Sequence, residues 1–280
     1  MPLLGEFFKM SAGGNDFIVL DNRAGTLRVE SMGEDIRRLC ARALSVGADG
    51  VILLEPSPRA HLRARFFNPD GRPTFCGNGG RCAARLAYLQ GMAPTRMTME
   101  SDRMVHHAAV RGVEVVFEMP EPKGFDDAVE VEVLGETIRG TLVDTGVPHF
   151  VVFRALRSDE SIDSLGRALR SHPRFAPSGV NVDFVQAWDR GTLSVRTFER
   201  GVEGETLACG TGCVAAALAA AASGKTTGSV SLLTRSGEPI RVRYEGDPRR
   251  PSGVHLEGQA RLIYVGQLTE ESTGGFAPAR

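Results

Sequence analysis

Cys76-Gly77-Asn78-Gly79 opens an Ala-rich stretch, and Cys209-Gly210-Thr211-Gly212 opens a second one. The echo extends outward from these motifs. Gly14-Asn15-Asp16-Phe17-Ile18-Val19-Leu20 runs against Gly146-Val147-Pro148-His149-Phe150-Val151-Val152. Gly47-Ala48-Asp49-Gly50-Val51-Ile52 runs against Gly179-Val180-Asn181-Val182-Asp183-Phe184, and Arg65-Phe66-Phe67-Asn68 against Arg196-Thr197-Phe198-Glu199. The offsets all lie between 131 and 133 residues, the pattern of a duplication. Two related halves can face each other across a pseudo-two-fold axis. A cysteine at the same place in each would then meet its counterpart, and two thiols flanking one carbon suit stereoinversion.

The 280 residues divide naturally into two halves near the commonest domain size. Hydrophobic residues make up 42% and charged ones 24%, as expected of a soluble globular chain. The net charge of -1 comes without basic or acidic blocks, so nothing points to nucleic acid or anionic lipid. Residues 1–10 lack the apolar run of a signal peptide. The longest apolar run, Val214–Ala222, is far below the roughly 20 residues of a membrane span. Five cysteines (40, 76, 82, 209, 213) in a chain of this length read as reduced thiols in a cytoplasmic protein.

Apolar and β-branched runs predict strands at Phe17–Asp21, Gly50–Glu55 and Arg63–Asn68, with an amphipathic helix at Glu34–Leu44. A helix follows at Arg81–Gln90, then strands at Thr95–Glu100, Met104–Val110 and Val113–Met119. Pro120–Gly124 reads as the linker. The second half repeats the plan: strands Ile138–Asp144, Phe150–Phe153, Asn181–Ala187 and Thr192–Phe198, and helices Ser161–Ser171 and Cys213–Ala222. The expected division is therefore 1–119 with Cys76 and 120–264 with Cys209, residues 265–280 packing back on the first half. Ala215–Ala222 is apolar on every face, so protein should surround it. Strands curling around a buried central helix, once per half, satisfy that requirement. Asn78 and Thr211 are suited to N-capping these helices. Free N–H groups and the positive dipole end there fit a carboxylate and should lower the pKa of the neighbouring cysteine.

Other chemistries fit less well. Cys209-x3-Cys213 has tolerable zinc spacing but no partner pair. A Cys–His hydrolase with His149 as base leaves one cysteine unexplained. Gly224-Lys225-Thr226 lacks the glycine a phosphate-binding loop needs at position 219. None of the three lysines (9, 123, 225) sits in a motif, so inversion without pyridoxal phosphate is expected, with no cofactor and no metal.

These residues together resemble the diaminopimelate epimerase family. The stretches that carry the resemblance are Gly14–Phe17, Gly47–Gly50, Asn68–Gly71, Cys76–Cys82, Asp144–His149, Asn181, Glu199–Gly201 and Glu205–Gly212. The resemblance implies an α+β fold of two homologous halves, each a mostly antiparallel barrel-like sheet around a helix, with the site between them. It implies cofactor-independent interconversion of LL- and meso-2,6-diaminopimelate, with Cys76 and Cys209 as the two acid/base groups. His149 and Glu199 would tune the thiols. Asn15, Asn68, Asn181, Glu199 and Arg200 would hold the distal end of the substrate, and Gly77, Asn78, Gly210 and Thr211 the reacting end. A homodimer is compatible with the resemblance. A racemase acting on histidine or 4-hydroxyproline, or a binding protein that kept the site and lost the chemistry, are the alternatives. Val147, the short Asn68–Cys76 segment and the long Gly201–Thr206 segment depart from the family pattern, all at substrate-positioning places.

Overall fold

The computed structural model describes residues 5–28, 32–157 and 159–273. The chain forms two compact units, Met1–Phe117 with Gln259–Arg280 and Glu118–Gly258.

In the first unit β1 (Gly5–Ala12) turns through Gly13-Gly14, both at positive φ, into antiparallel β2 (Asn15–Asp21). A crossover carrying α1 (Gly33–Cys40) leads to β3 (Gly50–Glu55), parallel to β2. β4 (Leu62–Phe67) returns antiparallel, and the short β5 (Pro73–Thr74) pairs with its end. Next come α2 (Gly77–Leu89), β6 (Arg96–Glu100) parallel to β4, and the antiparallel β7 (Val105–Arg111) and β8 (Glu114–Glu118). The core strands read as continuous apolar runs because helices cover both faces. Ile18, Leu20, Val51 and Leu53 pack on Ile36 and Leu39 of α1, while α2 lies against β1 to β4 on the other side.

The second unit repeats this ladder strand for strand. β9 (Lys123–Val133) pairs with β10 (Glu136–Asp144) through a two-residue turn, Leu134-Gly135, both at positive φ as such hairpins require. β10 pairs with β11 (Pro148–Phe153), which runs parallel to β12 (Asn181–Ala187) across α3 (Asp163–Arg170). β13 (Thr192–Glu199), the short β14 (Gly204–Thr206), α4 (Gly210–Ala222), β15 (Val230–Leu233), β16 (Pro239–Asp247) and β17 (Arg250–Gln259) complete it. Residues 210–220 of α4 are buried all round, inside β10 to β13, β15 and β16.

β18 (Arg261–Leu268) pairs antiparallel with β1, in the ladder position that β9 fills beside β10. The last strand of the chain thus completes the first unit. The expected end of the second half at 264 moves back to 258 for this reason. α5 (Glu270–Thr273) follows, with Arg38 donating to Thr273 O at 2.7 Å and Ser45 Oγ to Ser272 O at 2.9 Å. The tail expected to pack back includes residues 274–280, which lie outside the described residues.

Ladder registers refine the internal alignment. Phe17 pairs with Gly50 and His149 with Asn181, while Val51 pairs with Phe67 and Val182 with Phe198. Gly50 therefore corresponds to Asn181, one residue from its place in the sequence comparison.

Close packing around α2 sets a first prediction. A Cβ on Gly80 would sit 2.5 Å from Phe117 Cζ, and Phe117 is fully buried. Gly80→Ala should cost about 1–3 kcal/mol through overpacking, read as a lower thermal midpoint. An unchanged midpoint would mean that α2 does not touch β8 this closely.

Candidate active site

Cys76 and Cys209, rather than Asn78 and Thr211, are the N-caps of the two central helices. Both have extended backbones, with φ/ψ of -141°/119° and -123°/112°. The first helical bonds run from Gly80 N–H to Cys76 O (2.8 Å) and from Cys213 N–H to Cys209 O (2.9 Å). Asn78 and Thr211 stand two residues inside, where backbone N–H groups have no intrahelical acceptor. Each unit thus presents the same cradle: a thiol at the cap, then amides at Gly77 and Asn78, or at Gly210 and Thr211.

In the first unit Gly79 N–H donates to Cys76 Sγ at 3.4 Å, and Cys76 is half-buried. Asn78 is fully buried and its side chain is committed internally. Its Nδ2 donates to Asn15 Oδ1 at 2.8 Å, and its Oδ1 accepts from Arg81 Nη2 at 2.6 Å. Asn15 Nδ2 in turn donates to Asp49 Oδ2 at 3.2 Å. Asp49 and Asp16 share the Arg42 guanidinium, and Lys9 Nζ lies 2.6 Å from Asp16 Oδ2. The Asp16 carboxyl is lowered from its ordinary range. Burial opposes this, and hydrogen bonds from Arg42 and Lys9 outweigh it. Asn15 and Asn78 therefore shape the cradle, while Asn68 stands exposed at the end of β4, its backbone bonded to Gly71 and Arg72.

The second cradle is drier. His149 and Asp183 have no exposed side-chain surface, and His149 Nδ1 lies 2.7 Å from Asp183 Oδ2. Thr197 Oγ1 donates to Asp183 Oδ1 at 2.7 Å. His149 Nε2 lies 3.0 Å from Thr211 Oγ1, which lies 3.2 Å from Cys209 Sγ. Thr145 Oγ1 donates to Thr211 O at 3.1 Å. Asn181 Oδ1 accepts from Arg200 N–H at 2.8 Å, and Arg200 Nη1 donates to Ser178 O at 3.2 Å. Only a glycine fits at 212, because a Cβ there would collide with Asp183 Oδ1.

The expected acidification of the thiols fails for Cys209. Its thiol is raised well above the ordinary value, first by burial and then by the negative charges of Glu199 and Asp183. The Thr211 hydroxyl and Gly212 amide pull the other way without prevailing. Cys40, on α1, is pushed up to about 12, chiefly by burial. Its folded value lies above the unfolded one, so its contribution to stability is complete below pH 9 and is lost as pH rises toward 12. Alkylation in wild-type protein should mark Cys76 first, since the other four cysteines are buried. Peptide mapping checks this, and prior labelling of Cys40 would contradict it.

The structure brings Cys76, Gly77, Asn78 and Asn15 together in one unit and Cys209, Gly210, Thr211, His149 and Asn181 in the other, although Asn15 and Asn181 were expected at the distal end of the substrate with Asn68 and Arg200. Glu199 acts electrostatically on Cys209. Sequence reading gave no role to Asp49, Arg81, Thr145, Asp183 or Thr197. Asp49, Arg81 and Thr145 stand inside quoted motifs, and Asp183 and Thr197 inside the repeated stretches, where Asp183 is an acid within an otherwise apolar strand.

The fold is that of a class containing amino-acid racemases and epimerases. A probable proline racemase from Agrobacterium radiobacter K84 superposes with a TM-score of 0.72 at 19% identity, covering 95% of this chain and 93% of that one. A hydroxyproline epimerase from Agrobacterium vitis gives 0.71 at 18% identity, covering 96% and 94%. The sequence is more specific. A diaminopimelate epimerase family model matches residues 7–123 and 141–262. Diaminopimelate epimerases from Chlorobaculum tepidum and Aquifex aeolicus are 41% and 39% identical, covering 93% and 95% of this chain and 100% and 98% of theirs. The chain belongs to the diaminopimelate epimerase family.

Proposed function

We propose that this protein interconverts LL- and meso-2,6-diaminopimelate. One thiol removes the α-proton from one face of the carbon and the second thiol returns a proton to the other. Cys76 and Cys209 are those groups. The carrying observation is the recurrence of one cradle in both units, each a cysteine cap followed by helix N-terminal amides. Such amides suit the α-carboxylate and stabilise the enolate-like charge that develops when the proton leaves. Burial, and after it the negative charges of Glu199 and Asp183, keep the Cys209 thiol protonated at rest, so it starts as the acid. The half-buried Cys76 starts as the base for one diastereomer. Arg200, Glu199 and Asn68 hold the distal ammonium and carboxylate. Asn15 and Asn181, whose amides are engaged within their units, fix the framework around it.

Among the described residues no helix is long and apolar enough to cross a membrane. A cytoplasmic location is part of the proposal and is supported by the five cysteines of a chain without disulfide-type spacing. A homodimer is the proposed assembly, which sedimentation tests. The deciding experiment offers LL-diaminopimelate, proline, 4-hydroxyproline and histidine separately and resolves the stereoisomers by chiral chromatography. The proposal expects inversion of diaminopimelate alone. Faster inversion of another amino acid would replace the substrate and leave the chemistry.

A further inference from the structure

Behind Cys209 the hydrogen bonds form one unbroken buried line: Thr197, Asp183, His149, Thr211, Cys209. The four links measure 2.7, 2.7, 3.0 and 3.2 Å. Their directions can be assigned. Asn181 accepts the Arg200 N–H on its Oδ1, which turns its Nδ2 toward Pro148 O and His149 Nε2, both at 3.4 Å. An N–H group aimed at Nε2 makes that nitrogen an acceptor, so the ring proton sits on Nδ1 and faces Asp183. The Thr211 hydroxyl then donates to Nε2, and its oxygen is left to accept from the Cys209 S–H.

We infer that Thr211 is a proton shuttle joining Cys209 to His149, and that Asp183 positions His149 and holds the charge it acquires. The step balances within the line. The Cys209 S–H bond breaks and its electron pair stays on sulfur, while the proton forms a new bond to Thr211 Oγ1. The original Thr211 O–H bond breaks and its proton forms an N–H bond at His149 Nε2. Thiolate and imidazolium arise together, and no proton leaves for solvent. Asp183 on β12 and Thr197 on β13 face the ring through Nδ1, Asn181 on β12 and Thr211 on α4 face Nε2, and Glu199 and the Gly212 amide act on the sulfur. A thiol this dry would otherwise ionise only by expelling its proton against burial and two carboxylates. The relay gives Cys209 a base form when the reaction runs from the opposite diastereomer.

This inference rests on the two-thiol reading, but its test needs no substrate and so fails separately. The Cys76→Ser variant retains a capping side chain on α2 and leaves Cys209 to be studied with methyl methanethiosulfonate, followed by mass mapping. Only the thiolate reacts. An internal thiolate–imidazolium pair has the same net charge as thiol and neutral imidazole. Its population, and the Cys209 rate, should therefore be flat across neutral pH. Adding Thr211→Val should abolish the plateau and make the rate climb about tenfold per pH unit from neutral upward. Adding Thr211→Ser should restore the plateau, and Asp183→Asn should lower it about tenfold or more. Thermal midpoints verify that each variant is folded. A Cys209 rate that climbs with hydroxide in Cys76→Ser itself, no reaction of Cys209 in the neutral range, or a plateau that survives Thr211→Val would each overturn the relay.

Discussion

Cys76→Ala and Cys209→Ala are each expected to lower the epimerisation rate by roughly 10⁴-fold, the upper range for loss of a positioned acid or base. The effect should fall on kcat with little change in KM. The cradle amides proposed to hold the carboxylate belong to Gly77, Asn78, Gly210 and Thr211 and survive the substitution. Both variants should lose activity to a similar extent, because inversion needs a group on each face. Folding should persist. Each cysteine is the N-cap residue of a helix whose stability comes mainly from packing inside a sheet. The Cys76 side chain makes a cap hydrogen bond and the Cys209 side chain makes none, so the change costs about 1 kcal/mol at most. Steady-state kinetics with circular dichroism decides the matter. A variant retaining a tenth of wild-type kcat would remove its cysteine from the chemistry.

Asp183→Ala should cause a large loss of stability. Asp183 has no exposed side-chain surface and accepts from His149 Nδ1 and Thr197 Oγ1, both at 2.7 Å. Removing it strands two buried donors and opens a void, costing about 3–5 kcal/mol. For a unit of this size that is a fall of about 10 °C in the midpoint. Gly212→Ala alone should also destabilise, since the new Cβ meets Asp183 Oδ1. In the double variant the methyl group enters the space the carboxylate leaves, so the two losses should not add. Simple additivity would mean that Asp183 and Gly212 are not in contact.

Much of this was legible in the sequence, for reasons that can be located. The two Cys-Gly-x-Gly motifs stand at helix starts in both units because close packing and the cradle need small residues there. β3 matched its predicted span, Gly50–Glu55, since a strand covered by helices on both faces reads as an unbroken apolar run. Predicted helix starts at Arg81 and Cys213 fell late, because helix propensity argues against the glycines of the first turns. There the cap and the surrounding sheet override it. α1 ends at Cys40 rather than Leu44, as Ala41 turns to an extended backbone and Ala43 takes a positive φ.

β1 and β9 went unread for different reasons. Gly5–Ala12 mixes a lysine and a serine into its apolar residues, and Lys9 is neutralised only by Asp16 across the β1–β2 pair. Lys123–Val133 hides behind the Pro120–Gly124 segment taken as a linker, although Val129, Val131 and Val133 alternate with Glu130 and Glu132. The exchange of β18 for the position that β9 occupies has no local sequence signal. Only pairing with β1 reveals it. The role of the acid behind His149 depends on partners from other strands and was not legible locally. Asp183 in Asn181–Ala187 breaks the apolar pattern of its strand, and its partners come from β11 and β13.

The two-thiol claim is tested most directly by isotope placement at the earliest turnover. LL-diaminopimelate is incubated with enzyme in D2O, and both isomers are recovered at a few percent conversion and analysed by mass spectrometry. If Cys76 and Cys209 act on opposite faces, the group that takes the substrate proton is not the one that delivers to the product. The meso product should then carry one deuterium at the inverted carbon, while the remaining LL isomer is still unlabelled. The same should hold starting from the meso isomer. Product that retains the original hydrogen, or deuterium entering recovered substrate before product forms, would mean that a single group serves both faces and would contradict the account.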